Sequence, residues 1–359
     1  MSQMHTLAIK EIRRETKDTV SIAFDIPESL HDNFSFESGQ YLTLETEINK
    51  EKVRRSYSLC SAPTDQEWRV AIKKVEGGKF STYANEQLTD SEYMEVLPPM
   101  GNFKLTPNKD VQQHHVGFAA GSGITPILSM IKTVLRQEPQ SKFTLFYGNK
   151  NFDSIIFREE IEALKNLYLN RLSVHHILSR EKLGSPLFYG RINGEKCTKF
   201  ADVFFEATTV AGYYLCGPAD MIFDVKDSLL ACGASADNIH FELFNTSGLS
   251  KKETEQSEKA DFDPSKESRV TVILDGDSFD FNLAYGGVNI LDAALAEGAD
   301  LPYACKGGVC CTCKAKVDQG AVDMDVNYTL EPDEIDAGFV LTCQAHPRTP
   351  RTIVNFDEA

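Results

Sequence analysis

Cys305-Lys306-Gly307-Gly308-Val309-Cys310-Cys311-Thr312-Cys313 is the stretch that decides the reading, and Leu341-Thr342-Cys343-Gln344 completes it from a distance. Cys305, Cys310 and Cys313 are spaced C-x4-C-x2-C, and Cys343 follows after a long gap. Three thiols on one loop and a fourth from a separate segment can converge on one compact metal centre. Gly307 and Gly308 let the loop turn backbone N–H groups inward, toward anionic sulfur. Zinc sites made of four cysteines usually show two C-x2-C knuckles. Here a single C-x2-C follows an x4 gap, which disfavours zinc. Cys311 reads as a small space-filling residue pointing away from the centre.

The same spacing is that of plant-type ferredoxins, in which four thiolates hold a [2Fe–2S] cluster. Such a cluster handles one electron at a time, so the chain must receive electrons and pass them on. The sequence around the four cysteines has the order of a small ferredoxin-like α+β domain. Ser268 to Phe281 alternates as two strands about a turn at Asp275-Gly276-Asp277. A short helix is expected over Val288 to Glu297, directly before the cysteine loop.

The 359 residues suggest two or three domains, and a 42% hydrophobic content is enough for packed cores. Five cysteines lie outside the set of four, and a thiolate-bound centre argues for a reducing compartment. The N-terminal Met1 to Arg14 has no apolar stretch of the kind that directs secretion, and no segment approaches the length of a membrane span. A soluble cytoplasmic protein is expected. The net charge of −16 is uneven: Ser268 to Ala359 carries 15 acidic residues against 6 Lys or Arg. That acidity disfavours nucleic acid and suits docking to a basic patch on a redox partner, with a merely well-solvated surface as the bland alternative.

Four segments follow from composition and periodicity. Residues 1–107 read as an antiparallel barrel, with strands over His5–Glu11, Thr19–Ile26, Tyr41–Thr46 and Arg69–Val75. Residues 108–245 alternate strands (His115–Ala119, Lys142–Tyr147, Leu172–Leu178, Gly212–Cys216) with helices (Pro126–Arg136, Ile155–Leu167, Thr198–Phe205, Ala219–Cys232). That is a doubly wound α/β pattern on a parallel sheet. Residues 246–267 are polar and charged without apolar periodicity and read as a flexible linker. Residues 268–359 hold the cysteine centre.

Two glycine-bearing stretches suggest phosphate sites. Gly77-Gly78-Lys79-Phe80-Ser81-Thr82 opens a helical run, and its N–H groups with the helix dipole make an anion cradle. Arg55, in Arg55-Ser56-Tyr57-Ser58, would add a charge-assisted contact to the same phosphates. Tyr57 suits the face of a flat ring and Ser58 its edge. Lys73 is a further candidate for the flavin phosphates, although a solvated strand face is the favoured account of it. Gly121-Ser122-Gly123-Ile124-Thr125-Pro126 follows a strand and opens a helix. Thr125 suits the N-cap and Pro126 the first helical turn, and the glycines admit a pyrophosphate. Cys216-Gly217-Pro218 ends a later strand on the side where open α/β sheets take ligands. Ser179-Arg180 also follows a strand, and such a pair can grip the 2′-phosphate that distinguishes NADPH from NADH.

The order R-x-Y-S, G-G-x-x-S, G-x-G-x-T-P and C-G-P resembles the ferredoxin–NADP reductase family, a flavin-binding barrel followed by a nicotinamide-binding domain. With the C-terminal ferredoxin-like domain, the chain resembles reductase components of oxygenase systems, in particular the reductase subunits of phenylacetyl-CoA epoxidases. The resemblance implies a fold of three parts: an antiparallel flavin-binding β-barrel, a doubly wound α/β nicotinamide domain and a β-grasp plant-type ferredoxin domain. It implies FAD, a [2Fe–2S] cluster and NADPH as cofactors, with NADH the alternative nucleotide. It puts Ser58 near flavin N5, Cys216 near nicotinamide C4, and Glu242 and Phe244 as the carboxylate and the ring-stacking aromatic of the active site. It pairs Cys305 with Cys310 on one iron and Cys313 with Cys343 on the other. The implied partner is an oxygenase, expected to be a di-iron enzyme. Two alternatives stand beside this: an NADH-dependent dioxygenase reductase of the phthalate dioxygenase reductase type, which has the same domain order with FMN, and a non-catalytic redox-sensing iron–sulfur module.

Overall fold

A computed structural model of the chain describes residues 3–182, 184–244 and 266–358. It divides into two compact units: one is Met4–Phe244, and the other holds the described residues from Lys266 onward. The expected linker, 246–267, falls outside the described residues except for its last two, and Glu267 already belongs to a strand.

The first unit begins with a six-stranded antiparallel sheet. Its strands are β1 (His5–Thr16), β2 (Thr19–Asp25), β3 (Tyr41–Ile48), β4 (Glu51–Ser58), β5 (Trp68–Lys73) and β6 (Tyr93–Met100), in the order β4-β3-β6-β1-β2-β5. The two edge strands meet where the backbone leaves β4. There Leu59 bridges Val70 and the Cys60 N–H donates to the Arg69 carbonyl at 2.8 Å. The sheet thus curls shut as a barrel, filled by Leu7, Ile9, Val20, Ile22, Phe24, Leu42 and Val96 among others. β2 does not alternate in its burial, since only its last residue is exposed. The outer face is covered because Arg69 Nη1 donates to the Ser21 hydroxyl at 3.0 Å and lays its side chain over the strand. Helix α1 (Lys79–Glu86) packs on the barrel through Phe80 and Ala84.

The same unit continues into a five-stranded parallel sheet. Its elements are β7 (His114–Ala120), α2 (Ile124–Gln137), β8 (Lys142–Asn149), α3 (Arg158–Leu167), β9 (Leu172–Leu178), α4 (Gly194–Phe204), β10 (Gly212–Gly217), α5 (Ala219–Ala231) and β11 (Ile239–Leu243). The strand order is β11-β10-β7-β8-β9. From β7 the chain winds one way through β8 and β9, then returns to β10 and β11 on the other side, so the switch point lies between β7 and β10. One face is covered by α2 and α3, in a core that also takes Cys60, Ala71, Phe103 and Leu105 from the barrel side. The other carries a stack of aromatic rings, with Phe146 and Phe200 centroids 4.3 Å apart and Phe118 and Phe146 5.0 Å apart.

Three helix starts in the first unit depart from expectation. Asn193 caps α4 through Oδ1, which accepts the Lys196 N–H at 3.1 Å, so that helix starts four residues before Thr198. α3 starts at Arg158 because Phe157 sits at φ 59°, which breaks the run begun at Ile155. Thr125 and Pro126 do not cap α2 or open it: a single 3-10 turn, Gly121–Gly123, runs straight into the helix. Thr125 instead donates to the Ser122 carbonyl at 3.0 Å.

The second unit is a β-grasp fold. A five-stranded mixed sheet is ordered β13-β12-β18-β14-β16, with only the β12–β18 pair parallel. Its strands are β12 (Glu267–Leu274), β13 (Asp277–Ala284), β14 (Lys314–Gln319), β16 (Phe339–Leu341) and β18 (Arg351–Asn355). A small ribbon of β15 (Val322–Met324) and β17 (Ala345–Pro347) lies beside it, with helices α6 (Ile290–Ala296) and α7 (Pro332–Asp336). The β12–β13 turn is Asp275-Gly276, both at positive φ (53° and 80°), the two-residue hairpin that the sequence announces. Both turn N–H groups donate to the Asp357 carboxylate.

Candidate functional site

Four of the residues expected to handle flavin and nicotinamide, Ser58, Gly123, Cys216 and Glu242, come together around the carboxyl ends of β4, β7, β10 and β11. Cys216 and Glu242 are direct register partners on neighbouring parallel strands. Ser58, the last residue of β4, reaches across: its hydroxyl donates to Glu242 Oε2 at 2.8 Å. Burial pushes the Glu242 carboxyl up to about 8, a rise that the Ser58 donor partly offsets. The residue keeps some exposed surface while its carboxyl is enclosed by protein. Cys216 is fully buried, and its thiol is pushed well above the ordinary range by burial, then by the Glu242 carboxylate. An uncharged thiol beside a protonated carboxyl gives the site a neutral, proton-holding corner. Phe244 follows at the end of the described unit and leaves 39% of its surface exposed.

The loop after β7 is shaped by close approach. A Cβ on Gly123 would overlap the Cys216 carbonyl, so glycine is required there although its φ of −62° is ordinary. Gly121 has φ +55°, a Cβ there would meet nothing within 4 Å, and its carbonyl accepts the Tyr147 hydroxyl at 3.0 Å. Gly217 is closed in by Met221 and Ala120, and Pro218 caps α5. The open side of Gly121 at the start of α2, across from Gly217 and Pro218, suits a pyrophosphate laid over the switch point. Thr125 and Pro126 are buried within α2 and shape the loop from below. Ser179 and Arg180 follow β9, and their N–H groups bond to the Asn149 and Lys150 carbonyls. The Arg180 side chain is exposed and makes no hydrogen bond or ion pair to a described residue.

On the barrel, Arg55 and Tyr57 share one face of β4 and Ser58 turns to the other. Arg55 is exposed, with Nη1 donating to the Arg54 carbonyl at 2.6 Å. Tyr57 is half-buried, its ring 5.5 Å from that of Phe80. Gly78 caps α1, and Gly77 at φ +73° leaves open space above the first turn, which fits an anion there. Ser81 completes the turn: its Oγ accepts the Val75 N–H at 3.1 Å. Phe80 lies in the barrel core. Lys79 is exposed and pairs with Glu51, while Lys73 stands 3.7 Å from Asp18. These two lysines therefore already have carboxylate partners, whereas Arg55 has none among the described residues.

In the β-grasp unit, Cys305, Cys310, Cys313 and Cys343 are brought together by the loop and by the turn after β16. Cys310 Sγ donates to Cys305 Sγ at 3.0 Å, and Cys343 hydrogen-bonds both Cys305 and Cys313. The Gly307 N–H donates to Cys305 Sγ at 3.3 Å, so the loop does aim backbone donors at sulfur. Thiol and backbone donors hold Cys305 well below and Cys313 below the ordinary thiol range, while donating to those sulfurs holds the Cys310 and Cys343 thiols above it, so the protons are shared out within the set of four. Lys306 at φ 51° and Gly308 at φ 71° turn the loop inward. A Cβ on Gly308 would press on Val326 and Gln344. Four converging thiols with inward N–H groups fit an iron–sulfur cluster. Cys311 is buried beside them.

Sequence reasoning missed Ser129 and Lys132 on α2. Ser129 Oγ donates to the Ser61 carbonyl at 2.6 Å, and Lys132 Nζ donates to the Cys60 carbonyl at 3.0 Å. A lysine inside an otherwise apolar helix face was the available signal.

Three family models match in chain order: an oxidoreductase FAD-binding domain over residues 6–105, an oxidoreductase NAD-binding domain over 118–227 and a 2Fe-2S iron-sulfur cluster binding domain over 272–348. The chain is 43% identical over 357 residues to one of the subunits of the 1,2-phenylacetyl-CoA epoxidase of Escherichia coli (strain K12), covering 99% of both. It is 34% identical to the 3-ketosteroid-9-alpha-monooxygenase ferredoxin reductase component of Rhodococcus rhodochrous, over 98% of this chain and 96% of the relative. Among solved structures, phthalate dioxygenase reductase matches with a TM-score of 0.60 at 21% identity, over 98% of each chain. The chain therefore belongs to the family of oxygenase reductase components that join an FAD-binding, an NAD-binding and a 2Fe-2S domain in one polypeptide, and it is an electron-transfer oxidoreductase.

Proposed function

We propose that this reductase oxidises NADPH and delivers single electrons to a di-iron oxygenase acting on phenylacetyl-CoA. The 43% identity to a phenylacetyl-CoA epoxidase subunit, spread over 99% of both chains, carries the reading. The ketosteroid and glycine betaine reductases share the domain order at lower identity, 34% and 26%. The NADPH preference is supported by Arg180, an exposed guanidinium without a partner among the described residues, placed just beyond β9. A cytoplasmic location belongs to the same reading, supported by the five cysteines outside the cluster set, none of which is in a disulfide.

When bound, the three cofactors supply hydride acceptance and its division into single electrons. The chain's own residues bind and orient. Arg55 and the first turn of α1, with Gly77, Gly78 and Ser81, hold the flavin pyrophosphate. Tyr57 would offer its ring to the flavin. Gly121, Gly123, Gly217 and Pro218 form the nicotinamide cradle, and Cys216 supports the nicotinamide from beneath. Ser58 would orient the reacting edge of the flavin, and Glu242, whose carboxyl accepts the Ser58 hydroxyl and is kept protonated by burial, holds a second proton beside it. Phe244, exposed just beyond β11, would supply the aromatic face against the flavin ring. Cys305, Cys310, Cys313 and Cys343 hold the cluster, and the acidic surface of their domain steers it to a basic partner.

The test is reconstitution. Purified reductase and phenylacetyl-CoA oxygenase should couple NADPH consumption to epoxidation, with NADH a poorer donor. Uncoupled NADPH consumption, with efficient transfer to a ketosteroid oxygenase instead, would reassign the partner.

A further inference from the structure

Helix α2 does two jobs at its two ends. Its first residues follow the Gly121–Gly123 turn that lies on the Cys216 backbone. Farther along, one face grips the barrel segment that follows Ser58. Ser129, Lys132 and Arg136 are spaced i, i+3 and i+7, so they line a single stripe. Ser129 donates to the Ser61 carbonyl at 2.6 Å. Lys132 donates to the Cys60 carbonyl at 3.0 Å and pairs with Glu160 of α3 at 2.5 Å. Arg136 pairs with Asp65.

Lys132 is the unusual member of the stripe. Its side chain is only 7% exposed, whereas its carboxylate partner Glu160 is 43% exposed. A buried ammonium costs desolvation that a neutral residue would avoid, and its barrel-side contact is a main-chain carbonyl. Cys60 is held from the other side too, since its N–H and its thiol both donate to the Arg69 carbonyl, at 2.8 and 3.2 Å. Cys60 stands two residues after Ser58. A closed circuit results: Cys216 pairs with Glu242, Glu242 accepts from Ser58, Ser58 leads to Cys60, Cys60 accepts from Lys132, and α2 returns to Gly123 on Cys216.

We propose, on the reading that hydride passes from a nicotinamide to the flavin, that Lys132 is a positioning residue which closes this circuit and sets the distance between the two reacting rings. Hydride transfer needs reacting atoms about 3–3.5 Å apart, and an error near 1 Å can cost about 100-fold. Lys132 touches neither cofactor. It fixes the barrel strand that presents Ser58 relative to the sheet that presents Cys216 and Glu242.

The experiment uses the full holoprotein with FAD and cluster loaded, comparing wild type with Lys132→Met, Glu160→Gln and Ser129→Ala. Anaerobic stopped-flow with NADPH and with its 4-deuterated form gives the hydride-transfer rate, the isotope effect and the long-wavelength flavin–nicotinamide charge-transfer absorbance. Lys132→Met should keep its FAD and nucleotide KM within about twofold, lose hydride-transfer rate by at least about tenfold, and lose the charge-transfer band. Glu160→Gln keeps the contact to Cys60 and should transfer hydride like wild type. If Lys132→Met fails to hold FAD, Ser129→Ala decides: it removes the neighbouring rung without removing a charge, and should weaken the charge-transfer band. A wild-type rate and band in folded Lys132→Met, or in Ser129→Ala when that variant must decide, would overturn the positioning role. Wild-type protein that transfers no hydride would instead overturn the functional reading beneath it.

Discussion

Ser58 and Glu242 lie 184 positions apart and meet at 2.8 Å, hydroxyl to carboxylate, joining the end of a barrel strand to the carboxyl end of the last strand of the nicotinamide domain. The contact places a proton donor and a proton-holding acid at the seam between two cofactor domains. Both its partners have measurable consequences when altered.

Burial raises Glu242 from an ordinary 4.5 to about 8. Between those values the unfolded chain carries the ionised carboxylate while the folded chain keeps the proton. Folded protein therefore binds more protons, and stability falls as pH rises through that window. Below 4.5 the contribution is fully present. Glu242→Gln should flatten this part of the pH dependence, measured as melting temperature of the FAD-loaded protein against pH.

Ser58→Ala removes the donor that partly offsets burial, so the Glu242 midpoint should move further up. Loss of a hydrogen bond to a charged or reacting group costs about 10–100-fold in rate. Rapid-reaction measurement of nicotinamide oxidation should show that loss with nucleotide KM little changed.

Arg180, exposed and without a partner among the described residues, lies on the loop proposed for a 2′-phosphate. Arg180→Ala should raise KM for NADPH by about 10–100-fold, the worth of a charge-assisted contact, and leave KM for NADH unchanged. Equal effects on both nucleotides would remove the basis for an NADPH preference.

Cys305→Ser or Cys343→Ser should abolish the cluster's visible bands and acid-labile sulfide while NADPH-dependent reduction of a small artificial acceptor at the flavin continues. Cys311→Ala should retain both signals, because Cys311 is buried beside the ligand set without being counted in it.

Local chemistry was legible in the sequence where it is written in adjacent residues. The cysteine spacing, the Asp275-Gly276 hairpin and the strand–turn–helix at Gly121 all depend on short-range rules. Helix starts were less legible. Phe157 takes a left-handed conformation that no local signal requires, and Asn193 caps a helix whose first turn, Gly194 to Cys197, looks polar. The contacts that assemble the site were the least legible, because they are tertiary. Glu242 was placed by family resemblance, and its partner Ser58 by another motif, but nothing local joins the two. Lys132 passed unnoticed since its acceptor is a backbone carbonyl 72 positions away.

Under the proposed function, electrons would enter this chain as a pair at the flavin and leave singly through the cluster. Anaerobic mixing of the loaded protein with NADPH, followed at the flavin and cluster absorbance bands, tests that order most directly. Flavin bleaching should come first and loss of the cluster bands second, with the second phase absent in Cys305→Ser. Cluster reduction with no preceding flavin signal would contradict the account.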